Sequence, residues 1–490
     1  MNFRLFLLPC VLCLPWFLIL SLHAAPSDYF QIQVVDEQTS RGVPLVELET
    51  VNHLRFVTDS AGRIAFAEPG LAGQVVFFYV RSHGYEFPKD GSGFAGTRLK
   101  IELGGKAVVK IKRLNIAERL YRITGEGIYR DSVLLGEKTP LAEPLGSGQV
   151  AGQDSVLTVP YRGKFFWFWG DTNRLKYPLG HFWTSGATSD LPGKGGLDPN
   201  DGVNLRYFVG PDGFSKPTCR LDVKSGPVWI DGLLTIADET GRERLVCHYA
   251  HMKSLDEVLD HGLAVFNDDK AEFEKVVEFQ LADRVRCPHG HPIRHRDTSG
   301  DWFYFGNPFP VARVKTELKQ LADPASYEVW TRDGWKRGTK PFDAAAEQKL
   351  VKAGKLKQSE ARFQPVDVDS GKPLVMHYGS VCWNEFRKRW IMIAPARGGG
   401  PSFLGEIYYA EAPELTGPWL RAKKIVTHNK YTFYNPVQHP FFDQAGGRVI
   451  YFEGTYAETF SGNAVATPRY DYNQIMYRLD LADPRLNAAR

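Results

Sequence analysis

Apolar residues along this chain fall in short runs separated by polar turns, and most runs are rich in aromatic and β-branched side chains. The stretch Gly152 to Thr172, GQDSVLTVPYRGKFFWFWGDT, shows the unit most plainly. Ser155 to Val159 predicts a strand closed by Pro160, Tyr161 to Lys164 a polar turn, and Phe165 to Trp169 an aromatic strand buried on both faces. Antiparallel pairing sets the start of the first strand beside the end of the second. Asp154 and Asp171 therefore share the open end of one hairpin. Such a carboxylate pair is a candidate acid/base site; the plain alternative is two turn aspartates, since Asp is common at strand ends.

The same unit returns four more times. The second copy spans Val228 to Ala237, Leu245 to His251 and Gly262 to Phe266. The third spans His291 to His295, Trp302 to Gly306 and Tyr327 to Thr331. The fourth spans Gly379 to Trp383, Arg389 to Ala394 and Glu406 to Ala410, and the fifth Asn435 to Phe442, Arg448 to Tyr456 and Asn473 to Leu481. Repeated meanders at irregular spacing predict a five-bladed β-propeller over residues 152–483. A large β-sandwich is the competing architecture; the recurrence of one hairpin favours the propeller. The Ala-, Glu- and Lys-rich segment 342–361 predicts a polar helical insertion between the third and fourth copies.

Residues 28–113 predict a separate small β-sandwich, with short strands parted by Asp59-Ser60-Ala61-Gly62, Glu68-Pro69-Gly70 and Asp90-Gly91. The expected fold class is thus all-β, an N-terminal β-sandwich followed by the propeller. Residues 114–151 form the linker and entry; Ile116 to Tyr121 fits either a helical turn or an extended crossing.

The 490-residue length suits two or three domains. Residues 1–24 read as a signal peptide: Arg4 opens it, Leu5 to Leu22 is mostly apolar, and Leu22-His23-Ala24 resembles a cleavage site. The mature chain is expected to be secreted or periplasmic, monomeric and free of the membrane. A net charge of +4 is small for the length and points away from nucleic acid. Cys219, Cys247, Cys287 and Cys382 allow three pairings or none, and no CxxC element marks a zinc site. No cofactor is expected; a single structural ion held by a histidine at the propeller centre is the weaker alternative.

Two segments carry resemblances. The run from Val43 through FVTDSAGRIAF resembles carboxypeptidase-regulatory or transthyretin-like modules. The GQDS…FFWFWGDT hairpin and GEIYYAEAPELTGPW, Gly405 to Trp419, resemble the five-bladed propeller glycoside hydrolases of the family 43, arabinanase and xylosidase group, and related secreted propellers. The resemblance implies a carbohydrate substrate and puts Asp154 in the place of the general base. The family's further aspartate and glutamate do not transfer, because their places hold Gly226-Pro227-Val228 and Gly290-His291-Pro292.

Blade topology sends Asp154, Asp171, His248, His251, His291, Asn307, His377, Glu406, Asn435, His439 and Glu453 to one face, and sends Asp297 and Glu385 to the other. Glycoside hydrolysis needs two carboxyl groups astride one bond. Asp154 is the expected base, Glu406 or Glu453 the acid, and Asp171 an orienting group. His291, Asn307, His377, His439, Arg469, Trp169 and Trp229 are expected to bind substrate. The alternatives are a polysaccharide lyase, with His and Tyr as base and Arg469 neutralising a uronate, and a carbohydrate-binding propeller without activity.

Overall fold

The computed structural model describes residues 25–490. The signal sequence expected over 1–24, with Cys10 and Cys13, lies outside the described residues. The described chain is all-β in its regular architecture, and none of its helices is long and apolar enough to cross a membrane.

In Phe30–Asp36 every second side chain is buried, so one face of the strand looks inward. This strand sits in a four-stranded sheet with Arg63–Phe66, Lys106–Arg113 and Tyr85–Glu86. A second four-stranded sheet holds Arg55–Val57, Glu47–Thr50, Val75–Arg81 and Gly96–Lys100. Ile32, Val34 and Phe66 from the first meet Leu48, Phe78 and Val80 from the second in one core.

Five larger sheets and a small three-stranded one follow, and three of the larger sheets are in direct chain order. Sheet 1 is Val156–Tyr161, Lys164–Trp169, Ser185–Asp190 and Arg206–Tyr207. Sheet 2 is Val228–Ala237, Glu243–Met252, Val258–Asn267 and Glu272–Phe279. Sheet 3 runs from Ile293–Asp297 through Gly300–Gly306, Pro310–Lys315 and Glu328–Thr331 to Gly334–Lys336. Sheet 4 is Ser380–Asn384, Arg389–Pro395, Ile407–Ala412 and Arg421–Val426, edged by Val366–Asp367. Sheet 5 is Thr432–Gln438, Val449–Ala457 and Asn473–Asp480, and its fourth strand is Glu118–Arg122. The first strands of all five sheets line a common cavity of about 650 Å³.

The segment that fitted either a helical turn or a crossing is therefore a strand, and it completes the last sheet. Its five residues are all buried. Arg119 is 1% exposed; Nε donates to Pro44 O at 3.1 Å, Nη1 to His83 O at 3.2 Å and Nη2 to Ser82 Oγ at 2.5 Å. A buried guanidinium is tolerated only when its donors are met. Here the acceptors lie in loops that flank the strands of the N-terminal sheets, so the same strand closes sheet 5 and seats those sheets against it.

One strand expectation shifts. In the third repeat Pro310–Lys315 is the third strand and Glu328–Thr331 the fourth. Tyr177–His181 lies outside the five larger sheets, in a small sheet with Val150–Gln153 and Thr172–Arg174. The expected helix appears as Ala344–Lys352, capped by Asp343, whose carboxylate accepts from Ala346 N at 2.8 Å. It is more than a solvated insertion: buried Glu347 accepts from Arg362 N at 2.7 Å and Phe363 N at 2.8 Å. Cys219, Cys247, Cys287 and Cys382 are all free thiols.

Arg119→Met keeps the bulk but strands the acceptors around it. It is expected to cost on the order of 3 kcal/mol, read as a lower urea midpoint with an unaltered far-ultraviolet spectrum. An unchanged midpoint would show that this guanidinium does not hold the two parts together.

Candidate active site

The opening hairpin of sheet 1 is in register from Val156 opposite Trp169 to Tyr161 opposite Lys164, leaving Arg162-Gly163 as a two-residue turn. Both turn residues have positive φ, 46° and 75°, the twist that suits adjacent antiparallel strands. At the other end Asp154 N donates to Asp171 O at 3.1 Å, and Gly170 N to Asp154 O at 2.8 Å. The two aspartates are thus neighbours, and both are half-buried.

Their surroundings differ. Asp154 receives hydroxyls from Ser155 and Tyr434, and from Tyr472 at 3.3 Å on Oδ2. Sheet 5 holds these donors in place. Ser155 N donates to Thr455 Oγ1 at 2.8 Å, and Asn435 Nδ2 donates to Ser155 Oγ at 2.7 Å. Ser155, Asn435 and Tyr472 all adopt left-handed backbone, with φ of 41°, 48° and 57°. Three non-glycine residues in that region around one carboxylate are costly, and such strain concentrates at functional sites.

Among the described residues Asp171 has one donor, the indole N–H of Trp229 on Oδ1 at 3.2 Å, which is shared with Phe182 O at 3.0 Å. Burial, and then the charge of Asp154, push the Asp171 carboxyl up to about 6. Burial also raises Asp154, against the pull of its three hydroxyls. Around the pair, Phe182 is 49% and Phe460 62% exposed, and Phe460 stands edge-on to Tyr434 at 6.2 Å.

Glu406 and Glu453, expected as the acid, are both fully buried and committed elsewhere. Glu406 is tied to Lys424 Nζ at 2.7 Å and accepts from Thr427 Oγ1 at 2.7 Å. Glu453 lies 2.6 Å from His439 Nε2. It precedes Thr455 by two residues, so it shares that residue's face and points into the seam between sheets 5 and 1. Neither glutamate makes a contact with Asp154 or Asp171.

The expected substrate-binding residues divide. Only Trp229 joins the pair. Trp169 is 1% exposed, parallel to Trp167 at 6.4 Å, and belongs to the core of sheet 1. His439 packs edge-on to Trp167 at 5.4 Å. His291 lines the common cavity, and burial followed by the charge of His439 pushes it down to about 4. Asn307 accepts from Gly379 N at 3.2 Å, linking sheet 3 to the entry of sheet 4. His377 stacks on Tyr378 at 4.6 Å, and burial, then Arg397, lower it to about 4. Arg469 pairs with Glu126 at 3.2 Å, and both side chains are more than a third exposed.

Several residues around the pair were not singled out in the sequence: Ser155, Phe182 and Phe460. Asp231 was also passed over. It accepts from Gly232 N and Gly290 N, each at 2.9 Å, at a bulge in the first strand of sheet 2. The signal was Gly232 inside an apolar strand. Its φ is +57°, and a Cβ there would lie 2.4 Å from Pro288 C.

No protein-family model matches this chain, and no curated protein does. Among solved structures it is similar to an exo-β-1,3-galactanase from Phanerochaete chrysosporium, at 10% identity and a TM-score of 0.37, over 68% of this chain and 63% of that one. It is also similar to an exo-β-1,3-galactanase from Clostridium thermocellum, at 11% identity and a TM-score of 0.37, over 73% of this chain and 61% of that one. A third is an endo-arabinase from Bacteroides thetaiotaomicron, at 11% identity and a TM-score of 0.33, over 69% and 97%. The chain spans less than two thirds of either galactanase.

Proposed function

We propose that this chain is an exported glycoside hydrolase acting on a polysaccharide or oligosaccharide, with the five sheets as blades of a propeller and residues 28–113 as a β-sandwich docked on the fifth. The observation that carries the reading is the half-buried Asp154–Asp171 pair with unequal donors. Asp154, with three hydroxyls, is the carboxylate. Asp171, with one donor and a negative neighbour, is the group that holds a proton near pH 6. The acid role therefore moves from Glu406 and Glu453 to Asp171.

In this mechanism Asp171 protonates the departing glycosidic oxygen, while Asp154 activates water or attacks the anomeric carbon. Trp229 fixes Asp171 through its N–H, and Phe182 and Phe460 offer exposed rings for sugar faces.

Screening the protein on plant, algal and microbial polysaccharides with product analysis tests the activity directly. Asp154→Asn is expected to lower kcat by about 10²–10⁴-fold with thermal unfolding kept; full activity in this variant would remove Asp154 from the chemistry.

Asp171 sets the alkaline limb. Activity should fall as pH rises through about 6. Asp171→Asn should flatten that limb and lose more on natural glycosides than on nitrophenyl glycosides, whose leaving group needs little protonation. Stability gives an independent readout. The folded carboxyl titrates at about 6 against 3.8 for the free group, so the folded state binds the extra proton. The contribution is full below about pH 4 and is lost as pH rises through about 6. The difference in unfolding free energy between wild type and Asp171→Asn should follow that window; a pH-independent difference would contradict the raised carboxyl.

A further inference from the structure

Between sheets 2 and 3 lies a group of side chains outside the carboxylate pair. His248 and His261 come from neighbouring strands of sheet 2. His248 faces Leu263, and His261 faces Ala250, so the two imidazoles are diagonal neighbours on one face. Cys287 comes from the segment that leaves sheet 2 for sheet 3. One ligand atom from each of the three lies within 4.8 Å of the others. His248 is 9% exposed, and His261 and Cys287 are 1%.

We infer that His248, His261 and Cys287 form a binding site for a zinc-type divalent cation. Two nitrogens and one sulfur are the donor set that a borderline-soft cation selects, and open tetrahedral zinc sites use three protein ligands. The outer contacts are already those of a ligand set. His261 Nε2 donates to Gln280 O at 2.8 Å, which leaves Nδ1 as the lone-pair nitrogen facing the group. Asp231 is opposite His248 in the strand register, so its carboxylate lies on the same face and supplies negative charge beside the cation. Among the described residues only its Oδ1 is engaged, by Gly232 N and Gly290 N.

Without an ion, His248 Nε2 donates to His261 Nδ1 at 2.9 Å, and Cys287 Sγ donates to Arg284 O at 3.1 Å. Two nitrogens on one tetrahedral zinc sit about 3.3 Å apart, so the rings need to part by a few tenths of an ångström. Binding forms two metal–nitrogen bonds and one metal–sulfur bond. The thiol proton goes to water. The Nε2 proton of His248 is exchanged for one on its Nδ1, which has no hydrogen-bond partner among the described residues. One proton is released per ion.

The test uses the full chain, stripped with a chelator and titrated with Co²⁺. The expected result is one ion per chain, a thiolate-to-cobalt charge-transfer band in the near ultraviolet, release of one proton, and displacement by Zn²⁺. Cys287→Ser should abolish the band, His248→Ala should weaken binding at least ten-fold, and Cys219→Ser and Cys247→Ser should keep it. Should Cys287→Ser fail to fold, mass mapping of alkylation on the wild type decides instead, since Zn²⁺ should protect Cys287 and leave Cys382 unchanged. Absence of the charge-transfer band at saturating Co²⁺, or its survival in Cys287→Ser, overturns the site, as does alkylation of Cys287 unaffected by Zn²⁺.

Discussion

The pairing of Glu118–Arg122 with Asn473–Asp480 is the constraint on which the rest depends. It joins residues some 350 positions apart, for example Ile475 with Arg122. Loop-closure entropy grows only logarithmically with length, so so long a closure is only slightly dearer than a short one. Burial of the whole strand, with Arg119 meeting several acceptors and Arg122 meeting Arg469 O and Glu126 O, outweighs it. Arg122 also lies over the Tyr470 ring at 5.2 Å, and its backbone N donates to Ser60 Oγ at 3.2 Å. The strand is thus fixed from the sheet side and from the N-terminal side together.

The carboxylate pair inherits that closure. Asp154 belongs to sheet 1, but two of its hydroxyl donors, Tyr434 and Tyr472, sit in or beside the strands of sheet 5. Gln153 N donates to Tyr472 O at 2.7 Å, so the backbone entering sheet 1 is anchored on the same segment. The site straddles the seam where the last sheet meets the first. Glu453 and His439 fill the buried part of this seam, and the carboxylates occupy its accessible edge.

Much of this was legible in the chain. The hairpin that pairs Asp154 with Asp171 follows from two β-rich runs and a glycine turn, and the five repeats follow from the same pattern. The fourth strand of sheet 5 was not legible, because a five-residue segment carries no sign of a partner so far away. The third strand of sheet 3 was also hidden, since it begins at Pro310, a residue tolerated at the first position of a strand but otherwise read as a breaker. The glutamates failed for a different reason. Position along a strand tells which end a side chain occupies, not which partner meets it across a seam. Lys424 and His439 lie in separate elements from Glu406 and Glu453, and no local spacing reveals them. Trp169 looked like a sugar platform by type alone, while alternation within a doubly covered strand puts it in the core.

The Arg162-Gly163 turn has a further consequence. It lies about 20 Å along the strands from the carboxylates, yet its length decides which residues face each other at their end. One inserted or deleted residue in the turn would slip the pairing by one step and send alternate side chains to opposite faces. Asp154 and Asp171 would then be separated without either codon changing. Variation among descendants of this gene should therefore keep residue 162 to types that accept a positive φ and be closed to any change in the number of residues between Tyr161 and Lys164.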